Sequence, residues 1–424
     1  MSQFIRRQSI LKKSLAVAVT AVMMSSVHAA TEKEEIQKLR QEVEALKSLI
    51  QQQQQVQQQQ QVQLAQVHAQ PTTVTAPQAG LKSKAGAEVN LYGFVRGDAN
   101  YIIEGADDDF NSVGKVGAGG SNPASVKDKL RATAKTTRLG LDFKTKVEGA
   151  DVGGKVEVDF AGTNEALRIR HAYLTLNNWL FGQTTSNFLS NHAPEMIDFG
   201  TNAGGGTARI PQVRYSHKLA PDTLLLVSAE EGNSTATGSG LKYRLPNLTA
   251  KLTQGFAEGK GSASARALVE NYKSETADDE QTGWGVAAGA NYQLSDPLKI
   301  SADVSYVKGN SNYLYGANSA YSVVDGDIEQ NEFMGVQVGA TYKILPNLRS
   351  TLAYGALFAD DGTDYAKANA SSANEKVQQA WINFIYSPVK PVDLGVEYIN
   401  GKRETFSGQS FKDNRVGLMA KYNF

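Results

Sequence analysis

From residue 89 to the C-terminus, apolar and polar positions alternate with a period of two. The last twelve residues show it most clearly: Val416, Leu418, Ala420, Tyr422 and Phe424 share one face, and Arg415, Gly417, Met419, Lys421 and Asn423 share the other. An extended strand points successive side chains to opposite sides, so this segment has one apolar and one wet face. A strand this long suits a tilted membrane crossing of about 9–11 residues, and its aromatic end suits an interfacial girdle. Parity assigns the rest. Val89, Leu91, Val95, Ala99 and Tyr101 put Arg96, Asp98 and Asn100 on the inner face; Leu139, Leu141 and Phe143 do the same for Arg138 and Asp142. Val156, Val158 and Phe160 place Glu157 and Asp159 inside; Ile169 and Tyr173 place Arg168 and Arg170 there. Val213 and Tyr215 turn Arg214 inward, Leu241 and Tyr243 turn Lys242 and Arg244 inward, and Leu348, Leu352 and Tyr354 turn Arg349 inward. A one-residue slip would carry such charges into lipid at about 2–4 kcal/mol each near the midplane, which pins the register.

Turn signals divide the pattern. Short ones are Glu148-Gly149-Ala150-Asp151, Asn177-Asn178-Trp179, Ala220-Pro221-Asp222, Leu245-Pro246-Asn247, Asp296-Pro297, Leu345-Pro346-Asn347 and the stretch from Pro388 to Pro391. Pro and Asn suit them because they fix or tolerate the backbone angles required. Between them lie eight longer connections, near residues 104–131, 161–166, 186–208, 231–239, 258–281, 309–331, 359–376 and 400–412. Seven turns and eight loops join sixteen strands, an even number with both ends on the short-turn side. The expected fold is all-β: a 16-stranded antiparallel transmembrane β-barrel preceded by an N-terminal coiled-coil helix.

That helix follows an export address. Residues 1–30 read as a secretory signal peptide, with Arg6, Arg7, Lys12 and Lys13 before a short apolar core and small residues at the cleavage site. Residues 31–70 read as a periplasmic coiled-coil and Gln-rich helix: Ile36, Val43 and Ile50 fall at position a, Leu39 and Leu46 at d, and the next layers are glutamine. The bland alternative for the Gln tract is a low-complexity segment. Residues 71–87, with Pro71 and Pro77, read as a Pro/Thr linker, and 88–424 as the barrel.

Composition changes this picture little. Acidic and basic residues number 43 each, so no basic field points to nucleic acid; without the four signal-segment cations the chain is mildly acidic. There is no cysteine, and five scattered histidines show no metal-ligand spacing. No metal, no cofactor and no enzymatic activity are expected. Asp107 to Asp109 and Asp278 to Glu280 fall in external loops, where solvated charge outweighs a Ca²⁺ bridge to lipopolysaccharide.

The candidate chemistry lies on the inner face. Arg96, Arg138, Arg168, Arg170 and Arg214, with Lys242, Arg244, Arg349 and Arg415, form a basic set; pores ringed by Arg and Lys favour anions, and guanidinium forks match carboxylates. The competing reading pairs each with an inward Asp98, Asp142, Glu157 or Asp159. The third long connection holds Phe188, Met196, Ile197 and Phe199, an apolar set that belongs against the barrel wall. Folding it inward would make Glu195 and Asp198 the acidic side of a constriction.

The order of signal peptide, Glu/Lys coiled coil, Gln tract, Pro-Thr linker and a barrel opening Val89-Asn-Leu-Tyr-Gly-Phe-Val-Arg-Gly-Asp98 resembles the DcaP-like outer-membrane porins. The segment from Arg168 to Leu176, followed by Leu180-Phe-Gly-Gln183, is similar to the one preceding the constriction loop in that group. The resemblance implies a homotrimer in the outer membrane of a Gram-negative bacterium, in contact with its lipids and lipopolysaccharide. It also implies uptake of small dicarboxylic acids and passage of some anionic β-lactam-type antibiotics. Two rivals stay open: a sugar-type porin, favoured slightly by inward Tyr92 and Phe94, and a tether whose N-terminal helix grips the cell wall.

Overall fold

The structure, a computed structural model, describes residues 81–84, 86–117, 125–199, 202–237 and 240–424. The expected signal peptide, the helix over 31–70 and most of the linker lie outside the described residues. The end of the linker pairs as a short strand, Leu81–Lys82, with Glu88 and Val89.

Sixteen antiparallel strands form a closed barrel. They are β1 (Glu88–Ala106), β2 (Ser125–Thr133 continuing as Arg138–Val147), β3 (Ala150–Asp159), β4 (Arg168–Leu176), β5 (Trp179–Thr185), β6 (Arg209–Ala220), β7 (Thr223–Glu230) and β8 (Asn247–Phe256). The second half is β9 (Gly261–Ser274), β10 (Glu280–Gln293), β11 (Leu298–Lys308), β12 (Glu332–Leu345), β13 (Leu348–Ala359), β14 (Asn374–Val389), β15 (Val392–Thr405) and β16 (Ser410–Asn423). Each pairs with the next, and β16 closes on β1 from Phe94↔Asn423 to Glu104↔Asn414. The outer face is apolar: Leu130, Leu352, Leu91 and Leu418 are exposed there. The tight turns follow backbone chemistry; Glu148 (φ 50°) and Gly149 (φ 85°) supply the two left-handed residues of a two-residue hairpin.

Three expectations need correction. Leu245-Pro246-Asn247 is not a short turn, because β7 pairs with β8 from Glu230↔Asn247 onward and residues 231–246 form one long loop. Where a long loop is expected over 258–281, a tight turn at Ala257 to Lys260 comes first and the strand β9 follows it. The two errors cancel in the count. The first also reverses the parity at 241–244: Tyr243 pairs with buried Tyr272 and bonds inward to Glu270, so Lys242 and Arg244 face outward and stand exposed. The third concerns β4, where a β-bulge leaves Arg170 unpaired between His171 (opposite Glu157) and Ile169 (opposite Val158). The extra residue shifts parity, so Tyr173 joins Lys155 on the inner face rather than facing lipid.

The lumen is partly filled. The 186–208 loop, as expected, folds inward, with Phe188, Leu189 and Ile197 buried. It meets two further loops in one apolar cluster: Val113 from the loop after β1, and Tyr313 and Leu314 from the loop after β11. These seat against Leu268, Val307, Phe333, Leu357 and Val377 of the wall.

Candidate functional site: a basic wall and an inward loop

The third loop leaves β5, crosses the lumen and runs along the wall from β9 to β15. Ser190 Oγ donates to Asp303 of β11 at 2.6 Å, and a ring nitrogen of His192 lies 3.1 Å from Ser264 Oγ of β9. Pro194 packs where Gly339 of β12 leaves room for it. Glu195 receives a two-pronged bond from Arg349 of β13, both contacts 2.8 Å. Asp198 accepts from the backbone N–H and the side-chain amide of Asn111, at 3.0 and 2.9 Å. The loop then presents Phe199 to the opposite side.

What Phe199 meets is the basic wall. The guanidinium carbons of Arg170, Arg96 and Arg138 lie 5.6, 5.8 and 5.8 Å from its ring centroid, within cation–π reach. Each of these arginines also touches a carboxylate. Arg96 forks onto Asp98, with contacts of 2.6 to 3.0 Å. Arg168 forks onto Asp159 at 2.9 and 2.7 Å; Arg170 bridges Glu157 (2.8 Å) and Asp159 (3.0 Å). Arg138 is held most loosely: its Nε is 3.4 Å from Glu157 and makes no hydrogen bond.

Pairing therefore goes a long way but does not neutralise the wall. Arg96, Arg138, Arg168 and Arg170 share three carboxylates, Asp98, Glu157 and Asp159, and Arg209 adds a fifth guanidinium to the wall. Above Phe199 a cavity of about 660 Å³ is lined by Lys115, Lys135, Arg138, Arg168, Arg170 and Arg209, with only Asp108 and Asp198 as acids. Arg209, Lys115 and Lys135 were not singled out from sequence. Parity with Val213 directs Arg209 outward, yet as the first residue of β6, beside the returning loop, it lines this cavity.

The remaining sequence candidates lie elsewhere. Arg214 faces inward but is spent on Gln212 (3.0 Å) and the Thr185 carbonyl. Arg415 is fully buried on Asp413 and the carbonyls of Ala106 and Asp108, where it holds the first loop. Lys242 and Arg244 pair with Glu275 and Glu280 on the outer face, away from the lumen. The inward rings of Tyr92 and Phe94 lie against cations, with Lys155 Nζ 4.7 Å and the Arg138 guanidinium 5.0 Å away, so they form no bare aromatic track. Asp107 and Asp109 are engaged by Lys129, Arg131 and Lys135. The Lys129 hydrogen bond holds the Asp107 carboxyl below its ordinary range. Burial pushes Asp109 up, but Lys135 and Arg131 outweigh it and the net direction is also down. Among the described residues no group of three or more acidic or histidine side chains is arranged to hold a metal.

The family described as DcaP outer membrane protein matches residues 15–424 of this chain. The outer membrane channel DcaP of Acinetobacter baumannii is 72% identical, with a TM-score of 0.79, covering 82% of this chain and 100% of that one. More distant structures share the fold alone. OmpT of Vibrio cholerae is 15% identical (TM-score 0.55, covering 81% of this chain and 99% of that one). An anion-selective porin from Comamonas acidovorans is 12% identical (TM-score 0.53, covering 80% and 100%). Among curated proteins there is no match. The chain therefore belongs to the DcaP outer membrane protein family: it is a diffusion channel of the Gram-negative outer membrane.

Proposed function

We propose that the channel passes small organic anions, dicarboxylates in particular, and serves as an uptake route for some anionic antibiotics. The observation that carries this is the surplus of guanidinium on the wall facing Phe199, where four arginines share three carboxylates and six cations, Arg209 among them, line the cavity. A dianion entering that cavity finds forked donors whose geometry matches a carboxylate. Glu195 and Asp198 border the narrow section from the loop side, although Glu195 spends its charge on Arg349. The channel works as a homotrimer, with residues 31–70 forming a periplasmic coiled coil. The a/d seam of Ile36, Leu39, Val43, Leu46 and Ile50 supports this reading. The rival tether is separated from it by deleting residues 31–80: a channel keeps its conductance, whereas a tether loses its envelope phenotype.

The direct test is the reversal potential of the purified full-length channel in planar bilayers under a salt gradient, repeated with a small dicarboxylate. Anion selectivity with current block by the dicarboxylate supports the reading. Cation selectivity without block would mean that the inward carboxylates dominate, and the dicarboxylate assignment would be dropped.

A further inference from the structure

The loop that narrows the lumen is fastened by its backbone as well as by its side chains, and one wall residue takes two successive N–H groups of it. Glu397 lies on β15 between Val396 and Tyr398, both exposed on the outer face, so strand parity sends it inward, where it is 1% exposed. Among the described residues it has no ion pair with Lys, Arg or His. Its two oxygens instead accept from two successive loop N–H groups, Ile197 at 2.8 Å and Asp198 at 2.7 Å, and from Asn383 Nδ2 at 3.0 Å. The neighbouring peptide groups are gripped too: the Ile197 carbonyl accepts from Arg96, and the Glu195 carbonyl accepts from Trp381 Nε1 (2.9 Å) and Asn383 Nδ2 (3.1 Å).

We infer that Glu397 is the positioning residue of the constriction: its carboxylate fixes the backbone of Ile197 and Asp198, and thereby sets where Asp198 and Phe199 stand in the lumen. A buried carboxylate without a cationic partner is costly, so packing alone would be better met by an apolar residue. What only a carboxylate supplies here is two acceptors aimed at two adjacent N–H donors. Glutamine has the same size but replaces one acceptor with an NH₂ group that would face an N–H. The residues after this grip are the ones that shape the aperture, since Asp198 ties the loop to Asn111 and Phe199 meets three guanidinium groups.

The test is Glu397→Gln in the full-length channel, read by single-channel recording, with heat-modifiability on a gel showing that the barrel is folded. Losing one net hydrogen bond and stranding a buried N–H makes the displaced loop roughly tenfold more populated. The expected record is a higher mean conductance with flicker to a wider level. A folded Glu397→Gln channel with wild-type conductance and noise would overturn the inference. A rescue separates positioning from general destabilisation. Gly395 lies directly under Ile197, where an added Cβ would meet its Cδ1 at 2.5 Å, and the chain has no native cysteine. Ile197→Cys with Gly395→Cys in the Glu397→Gln background should silence the flicker when oxidised and release it on reduction. Flicker that persists in the crosslinked channel would also overturn it. Should Glu397→Gln fail to fold, Asn383→Ala removes a donor from Glu397 and another from the Glu195 carbonyl. The same flicker is expected there, and a quiet wild-type record counts against the inference.

Discussion

Arg138→Gln isolates the electrostatic part of the proposed selectivity, because Arg138 is the most loosely paired of the three guanidinium groups around Phe199. Its Nε makes no hydrogen bond, and Glu157 keeps Arg170 and Tyr92 (both 2.8 Å) when Arg138 is removed, so the surrounding network survives. A solute carboxylate passing about 6 Å from the guanidinium, at an effective dielectric of about 40, gains roughly 1.4 kcal/mol. In 0.1 M salt, with a Debye length of about 10 Å, screening leaves roughly 0.8 kcal/mol, or about fourfold in affinity. The assay is the concentration of a small dicarboxylate that halves the single-channel current, measured for wild type and variant. It should rise about fourfold at 0.1 M salt, more in dilute salt, and hardly at all at 1 M, where the Debye length is about 3 Å. An unchanged blocking concentration would remove Arg138 from the solute path. An equal change at every ionic strength would show that the substitution acts through packing against Phe94 and Phe199, and the electrostatic argument would fail.

Other perturbations reach different parts of the barrel. Arg266 and Asp303 form a fully buried pair, both contacts 2.7 Å. Asp303→Asn should cost about 3–5 kcal/mol, seen as a lower temperature for loss of the folded band in detergent, and an apolar pair at both sites should recover most of it. Lys242→Gln and Arg244→Gln remove exposed outer-face charges; each should change stability by about 1 kcal/mol or less and leave the reversal potential unmoved. A shifted potential would return them to the lumen. The Asp107 and Asp109 carboxyls are held below their ordinary range, so their contribution is complete above the unfolded pKa of about 3.9 and is lost as pH falls through the folded values. Amide-exchange protection in residues 107–117, taken relative to the intrinsic rate at each pH, should therefore be alike at pH 7 and pH 5 and fall only below about pH 4; a loss of protection near pH 6 would contradict it.

Most of the barrel can be read from residue order because a membrane wall enforces period two on every strand. The reading fails where that signal is weakest. Strand β9 turns Ala265 and Ala267 outward, side chains too small to advertise a lipid face, while Leu241 and Tyr243 beside Pro246 imitate a strand and a turn. The inward fold of the third loop is legible because Phe188 and Ile197 have no reason to sit in water. The loop after β11 escapes notice because its buried Tyr313 is an ordinary residue for an exposed loop. The basic wall emerges from parity, but its pairing does not. Glu397 and Ile197 are two hundred positions apart, and only the closed barrel brings them together. Arg209 and Lys135 escape for the same reason, since what they line is set by where other loops return.

The bulge in β4 bears on how such a wall acquires charge. Without Arg170, the order Arg168, Ile169, His171, Ala172 would alternate inside and outside in an unbroken ladder opposite Asp159, Val158, Glu157 and Val156. Arg170 is thus an insertion into an otherwise complete strand, not a replacement of one of its members. It adds a guanidinium between two inward neighbours and takes no position from the lipid face. A lineage can gain or lose this charge by a single codon of length, with the membrane seal of the strand untouched in either direction.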